Sequence, residues 1–174
     1  FPCIGMIVSG GHSSLYRCNA PSDFEYLGGT IDDAAGEAFD KVANMLGLPY
    51  PGGPAISRVA LQGNRKAHAF PRSFIKDDAK IAFSFSGLKT AVRYAITGGA
   101  TSEFVRPDMT DQQIADLAAS FEDAVVDCLV AKAILALKQS GLTTLCVGGG
   151  VAANKHLRRR LETAAQEAGA TLHI

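Results

Sequence analysis

The chain has 174 residues, enough for one sizeable core, and 47% of them are apolar against 20% charged, an ordinary globular composition. Seventeen basic residues balance seventeen acidic ones, so no global basic field advertises a nucleic acid, and any such contact has to come from a local patch. No stretch reads as a secretory signal or as an apolar membrane span, which points to a cytoplasmic protein with no membrane partner.

Phe1 to Val8 reads as a strand and Ser13 to Cys18 as its antiparallel partner, joined by Ser9-Gly10-Gly11-His12. A glycine hairpin of this kind needs no ligand to exist. Its functional reading is a loop that exposes backbone N–H groups to an anion, with Ser9 adding a hydroxyl. Phe24 to Leu27 is a third short strand.

A helix follows, with Asp32 and Asp33 where a cap and a first-turn acid belong, and with Gly47 and Pro49 as its stop. Ala35, Ala38, Phe39, Val42 and Leu46 make one buried stripe. The opposite stripe, Asp33, Glu37, Asp40 and Asn44, has no lysine or arginine directly in the row. Like charges one turn apart cost a few tenths of a kcal/mol, so this face is either a wet surface or a binding wall. Tyr50-Pro51-Gly52-Gly53-Pro54 then reads as a stiff turn whose glycine backbone approaches a ligand closely. An acidic face running into a glycine loop suits ribose hydroxyls, a hydrated cation or an aminoacyl ammonium.

From Ser57 to Lys80 the chain is polar and basic, with Arg58, Arg65, Lys66, Arg72, Lys76 and Lys80 around Phe70 and Phe74. The two readings are an RNA-binding patch and a solvated loop balanced by Asp77 and Asp78. Ile81 to Phe85 is a short strand, and Ser86 caps a helix that ends near Gly98-Gly99. Thr110 and Gln113 have capping-box spacing and open a long helix to about Gln139, stopped by Gly141. Its stripe of Ile114, Leu117, Ala118, Phe121, Val125, Cys128 and Leu129 is architectural and carries no chemistry. Thr143 to Val147 is a strand, Gly148-Gly149-Gly150 a turn, and Ala152 to Glu167 a helix leading to a strand at Thr171. That is a parallel crossover. Glycines between a strand and a helix N-terminus let a nucleotide lie on the backbone, with Asn154 in the first turn to present an amide. Lys155, Arg158, Arg159 and Arg160 give this helix a basic side.

The four cysteines, Cys3, Cys18, Cys128 and Cys146, lack metal-ligand spacing and sit in apolar runs, as buried reduced thiols do. The chain begins without methionine inside one strand-like run and stops inside another, Ala170 to Ile174, so the expectation is a piece of something longer.

The fold expectation is α/β, with a three-stranded antiparallel start, helices, and a parallel strand–glycine–helix–strand crossover. This order resembles the repeated subdomain of the actin–Hsp70–sugar kinase class, two of which face each other across a nucleotide. Ile7 to His12 (IVSGGH), Ile31 to Pro54 (IDDAAGEAFDKVANMLGLPYPGGP), Phe83 to Val92 (FSFSGLKTAV) and Gly148 to Leu161 (GGGVAANKHLRRRL) occur in one order. Together they resemble the tRNA threonylcarbamoyladenosine transferase family, once labelled O-sialoglycoprotein endopeptidase or glycoprotease. The resemblance implies transfer of a threonylcarbamoyl group from its adenylate to the exocyclic amine of the adenosine beside the anticodon of tRNA. By motif match, the loop of Ile7, Val8, Ser9, Gly10 and Gly11 lines the donor's phosphate or carboxylate. Asp40 holds a ribose hydroxyl, Gly53 packs against the donor, and Asn154 contacts the adenine side.

The family also implies one divalent metal ion, iron or zinc, held by a His-x-x-x-His pair in a preceding lobe and an aspartate after the glycine crossover. This chain has neither; its histidines are His12, His68, His156 and His173. Residues 1–174 are therefore expected to be the single C-terminal lobe of a two-lobe fold, without its metal ligands and inactive alone. Ser57 stands one turn past the glycine loop, where some members are expected to carry an acid. Implied partners are tRNA, a paralogous subunit of similar fold and a small ATPase; ATP or the adenylate is the nucleotide ligand. Two other classes compete. A metallopeptidase, as the older label has it, lacks an HExxH motif, a metal-ligand cluster or a nucleophile with an evident base here. A non-catalytic nucleotide-binding lobe would work through its partner proteins.

Overall fold

A computed structural model describes residues 1–99 and 103–174. The opening strands are β1 (Cys3–Val8), β2 (Ser13–Ala20) and β3 (Asp23–Thr30), all antiparallel, with Cys3 opposite Cys18 and Ser14 opposite Gly29. β3 runs past its expected end at Leu27 because β4 (Ala82–Phe83) pairs with it in parallel at Gly29 and Thr30. Glycine is the condition for this pairing: a Cβ on Gly28 would lie 1.8 Å from the Ile81 carbonyl oxygen.

α1 (Ala35–Met45) buries the expected stripe and ends at Gly47, whose φ of +70° is the left-handed stop. Its start differs from expectation. Ala34 occupies the N-cap position, and the Ala34 N–H donates to Glu37 Oε2 at 3.4 Å. Asp32 and Asp33 turn instead to α3 (Ser86–Thr97). Asp32 Oδ1 accepts from the Phe85 and Ser86 N–H groups at 2.9 and 3.3 Å, while Ser84 Oγ donates to Oδ2 at 2.6 Å. Ser86 is thus the first helical residue rather than the cap, and a carboxylate 53 positions upstream does the capping.

α2 (Gly52–Ala60) corrects a second expectation: Gly52-Gly53 opens a helix instead of forming a free turn. α4 (Asp111–Ser140) starts on the predicted capping box, with the Gln113 N–H donating to Thr110 Oγ1 and the Thr110 N–H to Gln113 Oε1. It ends at Gly141, with φ +69°. Buried residues surround it on every side, as befits a helix at the centre of the molecule. β5 (Thr144–Gly148) leads into a single 3-10 turn, Gly150–Ala153, and then into α5 (Lys155–Glu167) and β6 (Thr171–His173). The helix expected from Ala152 is thereby split, with Asn154 as the N-cap of α5 rather than a first-turn residue.

The strands form one sheet in the order β4–β3–β2–β1–β5–β6, with β5 parallel to both β1 and β6. Ile4, Met6 and Val8 of β1, Leu15 of β2, and Leu145 and Val147 of β5 join the apolar sides of all five helices in one core. Among the described residues no helix is long and apolar enough to cross a membrane.

Candidate functional site

Between the β1–β2 loop, α1, α2, α4, the 3-10 turn and the start of α5 lies a cavity of about 620 Å³, within the size range of small-ligand pockets. Gly10, Asp40, Gly53 and Asn154 all line it, although they come from four widely separated segments. Ile7, Val8, Ser9 and Gly11 do not. Val8 is wholly buried in the core and Ile7 is 42% exposed on the other face of the sheet. Ser9 serves its own loop: its Oγ accepts from the Gly11 and His12 N–H groups at 3.3 and 3.0 Å, and its carbonyl accepts from the Gly36 N–H at 3.1 Å. Two of the amides expected to face an anion are therefore already used.

Asp40 has two tasks. Its Oδ1 accepts from the Gly52 N–H at 2.7 Å, which supplies α2 with the cap that Pro51 cannot give. It also lines the cavity beside Gly53. The rest of the acidic stripe on α1 is neutralised locally. Lys41 Nζ lies 2.8 Å from Asp33 and 2.7 Å from Glu37, and Lys89 Nζ from α3 lies 2.9 Å from Asp33. Burial pushes the Asp33 carboxyl up, but the bonds to Lys41 and Lys89 outweigh it and hold the group below the usual carboxylate range.

The innermost wall is a polar cluster around Glu122 of α4, which is 1% exposed. Glu122 Oε1 accepts from Ser57 Oγ at 2.7 Å and Asn154 Nδ2 at 2.8 Å, and Oε2 pairs with Arg65 Nη1 at 3.1 Å. Asn154 Nδ2 also donates to Ser57 Oγ at 3.0 Å, and its Oδ1 accepts from the Leu157 N–H at 2.8 Å. Both amide hydrogens are thus spent inside the protein. Glu122 was absent from the sequence expectations, which gave α4 no chemistry. Its signal is an acid in a helix that is apolar on every side: a buried carboxylate needs a partner, and the basic stretch after α2 supplies one.

Asp123 and Asp127, on the same helix, bind much of the remaining basic charge. Arg72 reaches Asp127 at 2.6 Å and Asp123 at 3.1 Å, Arg160 reaches Asp127 at 2.7 Å, and His156 Nε2 lies 2.9 Å from Asp123. Within the basic stretch from Ser57 to Lys80, Arg65 and Arg72 are thus ion-paired with α4, not with Asp77 or Asp78.

The donor set does not fit a metal ion: among the described residues no group of three His, Cys, Asp or Glu side chains could hold one. His68 stacks on Phe70 with ring centroids 5.4 Å apart, and His156 faces Asp123.

The family model described as TsaD, tRNA N6-adenosine threonylcarbamoyltransferase, matches residues 1–174. A protein of that name from Rhodopirellula baltica is 57% identical, with all of this chain and 51% of the relative covered. One from Aromatoleum aromaticum is 44% identical, with 99% of this chain and 48% of the relative covered. The chain spans about half the length of these curated relatives. Among solved structures, the crystal structure of T. kodakarensis HypF superposes with a TM-score of 0.58 at 19% identity, covering 88% of this chain and 18% of that one. That likeness concerns the fold alone.

Proposed function

The chain belongs to the tRNA N6-adenosine threonylcarbamoyltransferase family, and we propose that it supplies one wall of a site at which a threonylcarbamoyl group passes from its adenylate to an adenosine of tRNA. The observation that carries this reading is the convergence of Gly10, Asp40, Gly53 and Asn154 on one cavity. The lining suits an adenylate. Asp40 spends Oδ1 on Gly52, which leaves Oδ2 for a ribose hydroxyl. Gly10 and Gly53 present bare backbone, and a Cβ on either would meet nothing within 4 Å. Phe39 and Pro54 add apolar surface for the base. In this reading Asn154 acts as a keystone beneath the adenine side, since its amide hydrogens are already bonded to Ser57 and Glu122.

The chemistry balances simply. The N6 lone pair of the acceptor attacks the carbamoyl carbon, the bond from that carbon to the phosphate oxygen breaks, AMP leaves with the bonding electrons, and N6 gives up a proton. An acyl adenylate already carries a good leaving group, so the work of these residues is to hold donor and amine in line and to exclude water. In this scheme the family's metal ion is held by residues other than those of this chain.

The same reading treats residues 1–174 as one lobe of the actin–Hsp70–sugar kinase class, with a facing lobe, a paralogous subunit and a small ATPase as companions. The mixed sheet with its β5–α5–β6 crossover and the likeness to HypF support the fold part of that reading.

Titration with ATP, followed by amide shifts in the NMR spectrum, tests the cavity. Shifts are expected at Gly10, Gly53 and Asn154, with weaker affinity in Asp40→Asn. That variant keeps an oxygen for Gly52 and so leaves α2 capped. No shift at millimolar ATP sinks the nucleotide reading and favours a lobe that acts only as a docking surface.

A further inference from the structure

The mouth of the cavity carries three cations that the interior network does not use. Arg58 of α2, with Lys155 and Arg159 of α5, line it and are exposed, and among the described residues no carboxylate pairs with any of them. Arg65, Arg72 and Arg160 make the contrast, each tied to the acid row of α4. Lys155 and Arg159 stand one turn apart on the same helix, an arrangement that costs a few tenths of a kcal/mol unless an anion relieves it. The whole lining holds Arg58, Arg65, Lys155 and Arg159 against Asp40 and Glu122, so the cavity of a chain with no net charge is locally positive. Tyr50, 84% exposed, lines the same cavity.

We infer that this rim, Arg58, Lys155, Arg159 and Tyr50, receives single-stranded RNA, with backbone phosphates on the cations and one unstacked base on the Tyr50 ring. The inference rests on the transferase reading of the cavity and names the surface by which the RNA reaches it. The adenylate donor brings one phosphate to such a site, which one or two donors satisfy. Three unpaired cations on two separate helices match a run of phosphates instead. An exposed ring among them selects RNA whose bases are splayed, because a paired helix keeps its bases stacked inside. Phosphate contacts made by exposed cations supply affinity and register. The ring holds the strand so that the base next to it can enter the cavity.

The test is fluorescence anisotropy of the 174-residue chain with a labelled tRNA transcript, over a salt series. One triple variant carries Arg58→Ala, Lys155→Ala and Arg159→Ala. A control triple variant carries Lys76→Ala, Lys80→Ala and Lys138→Ala, removing the same charge from exposed positions outside the cavity. The rim variant is expected to bind more weakly, with a slope of log affinity against log salt shallower by about 2, at roughly 0.7 per phosphate contact on a single strand. Tyr50→Ala is expected to lose about tenfold in affinity with the slope unchanged. The control should keep the wild-type slope. Equal losses in both triple variants mean a response to net charge alone and overturn the inference. An unchanged slope in the rim variant overturns it too, while leaving the transferase reading intact. Loss of ATP-induced amide shifts in a rim variant that keeps its tRNA slope assigns the cations to the donor and also overturns it. A wild-type chain that binds no tRNA overturns the inference, while the transferase reading, which counts on a facing lobe and partner subunits, stands or falls with the ATP titration.

Discussion

Asn154 Nδ2 lies 2.8 Å from Glu122 Oε1, so the residue that caps α5 is hydrogen-bonded to the middle of α4. Glu122 serves three donors from three elements: Ser57, Asn154 and Arg65. Glutamine cannot replace it. With one oxygen and one NH2, it turns a donor either towards Arg65 or towards the Ser57–Asn154 pair, and in both cases a buried donor faces a donor. Glu122→Gln is expected to cost about 2–3 kcal/mol, read as a lower urea midpoint. Combined with Asn154→Ala the total should fall short of the sum of the single changes, because the two residues share one bond. Strict additivity would show that the contact contributes nothing.

Gly52 and Gly53 are adjacent and look alike in sequence, yet their substitution should have opposite consequences. A Cβ on Gly52 would lie 2.6 Å from Asp40 Cα and from the Phe39 carbonyl oxygen, and backbone atoms cannot rotate away. Gly52→Ala therefore has to push α2 off α1, at a cost of about 1–3 kcal/mol by analogy with overpacked cores. A Cβ on Gly53 meets nothing within 4 Å and points into the open space of the cavity. Gly53→Ala is expected to leave stability unchanged or raise it by up to about 1 kcal/mol through helix propensity. Its effect should appear as weaker ATP-induced shifts. A Gly53→Ala chain that binds ATP like the wild type would remove Gly53 from the site.

Cys128, buried on α4, has its thiol pushed up to about 11, chiefly by burial. Burial likewise raises the Cys18 and Cys146 thiols. A raised thiol keeps its proton in the folded chain and loses it first in the unfolded one. Its contribution to stability is therefore complete below the unfolded pKa and fades as pH rises towards the folded value. Iodoacetamide at pH 8.5, followed by mass spectrometry, should leave Cys128 unmodified until urea unfolds the chain. Rapid modification of Cys128 in the folded chain would contradict its burial.

Local rules made part of the molecule legible from its sequence. Thr110 with Gln113, and the left-handed glycines Gly47 and Gly141, act within one turn of chain, and all sit where the sequence puts them. Several of the misreadings are non-local. Asp32 looks like the cap of the helix beside it, but its donors belong to Phe85 and Ser86. The third strand looks complete at Leu27, because nothing nearby announces that β4 docks beyond it and that the strand runs on to Thr30. The site follows the same division. Of the eight residues the motifs single out, Gly10, Asp40, Gly53 and Asn154 line the cavity, and Ile7, Val8, Ser9 and Gly11 do not. The acidic face of α1 reads as one cluster, but Lys41, one turn past Glu37, pairs with Glu37 and Asp33, and Lys89 arrives from α3 at Asp33. Asp40 is thus the acid of that face that lines the cavity. Glu122 escaped because helical periodicity assigned its neighbours to the core, and its partners Ser57 and Asn154 lie 65 and 32 residues away.

Asp33 joins α1 to α3 through Lys41 and Lys89, and its side chain is only 13% exposed. Asp33→Asn is expected to lower stability at pH 7 by roughly 1 kcal/mol, a figure kept small because Lys41 is 40% exposed and solvent screens its share. The pH dependence identifies the cause. The folded carboxyl ionises at a lower pH than the unfolded one, so its contribution is complete above the unfolded value of about 4 and is lost as pH falls through the folded value. Urea midpoints of wild type and variant, measured from pH 7 down to pH 3, should therefore converge on the acid side. A gap that stays constant across that range would mean that the substitution acts through packing alone, with the two ion pairs contributing nothing.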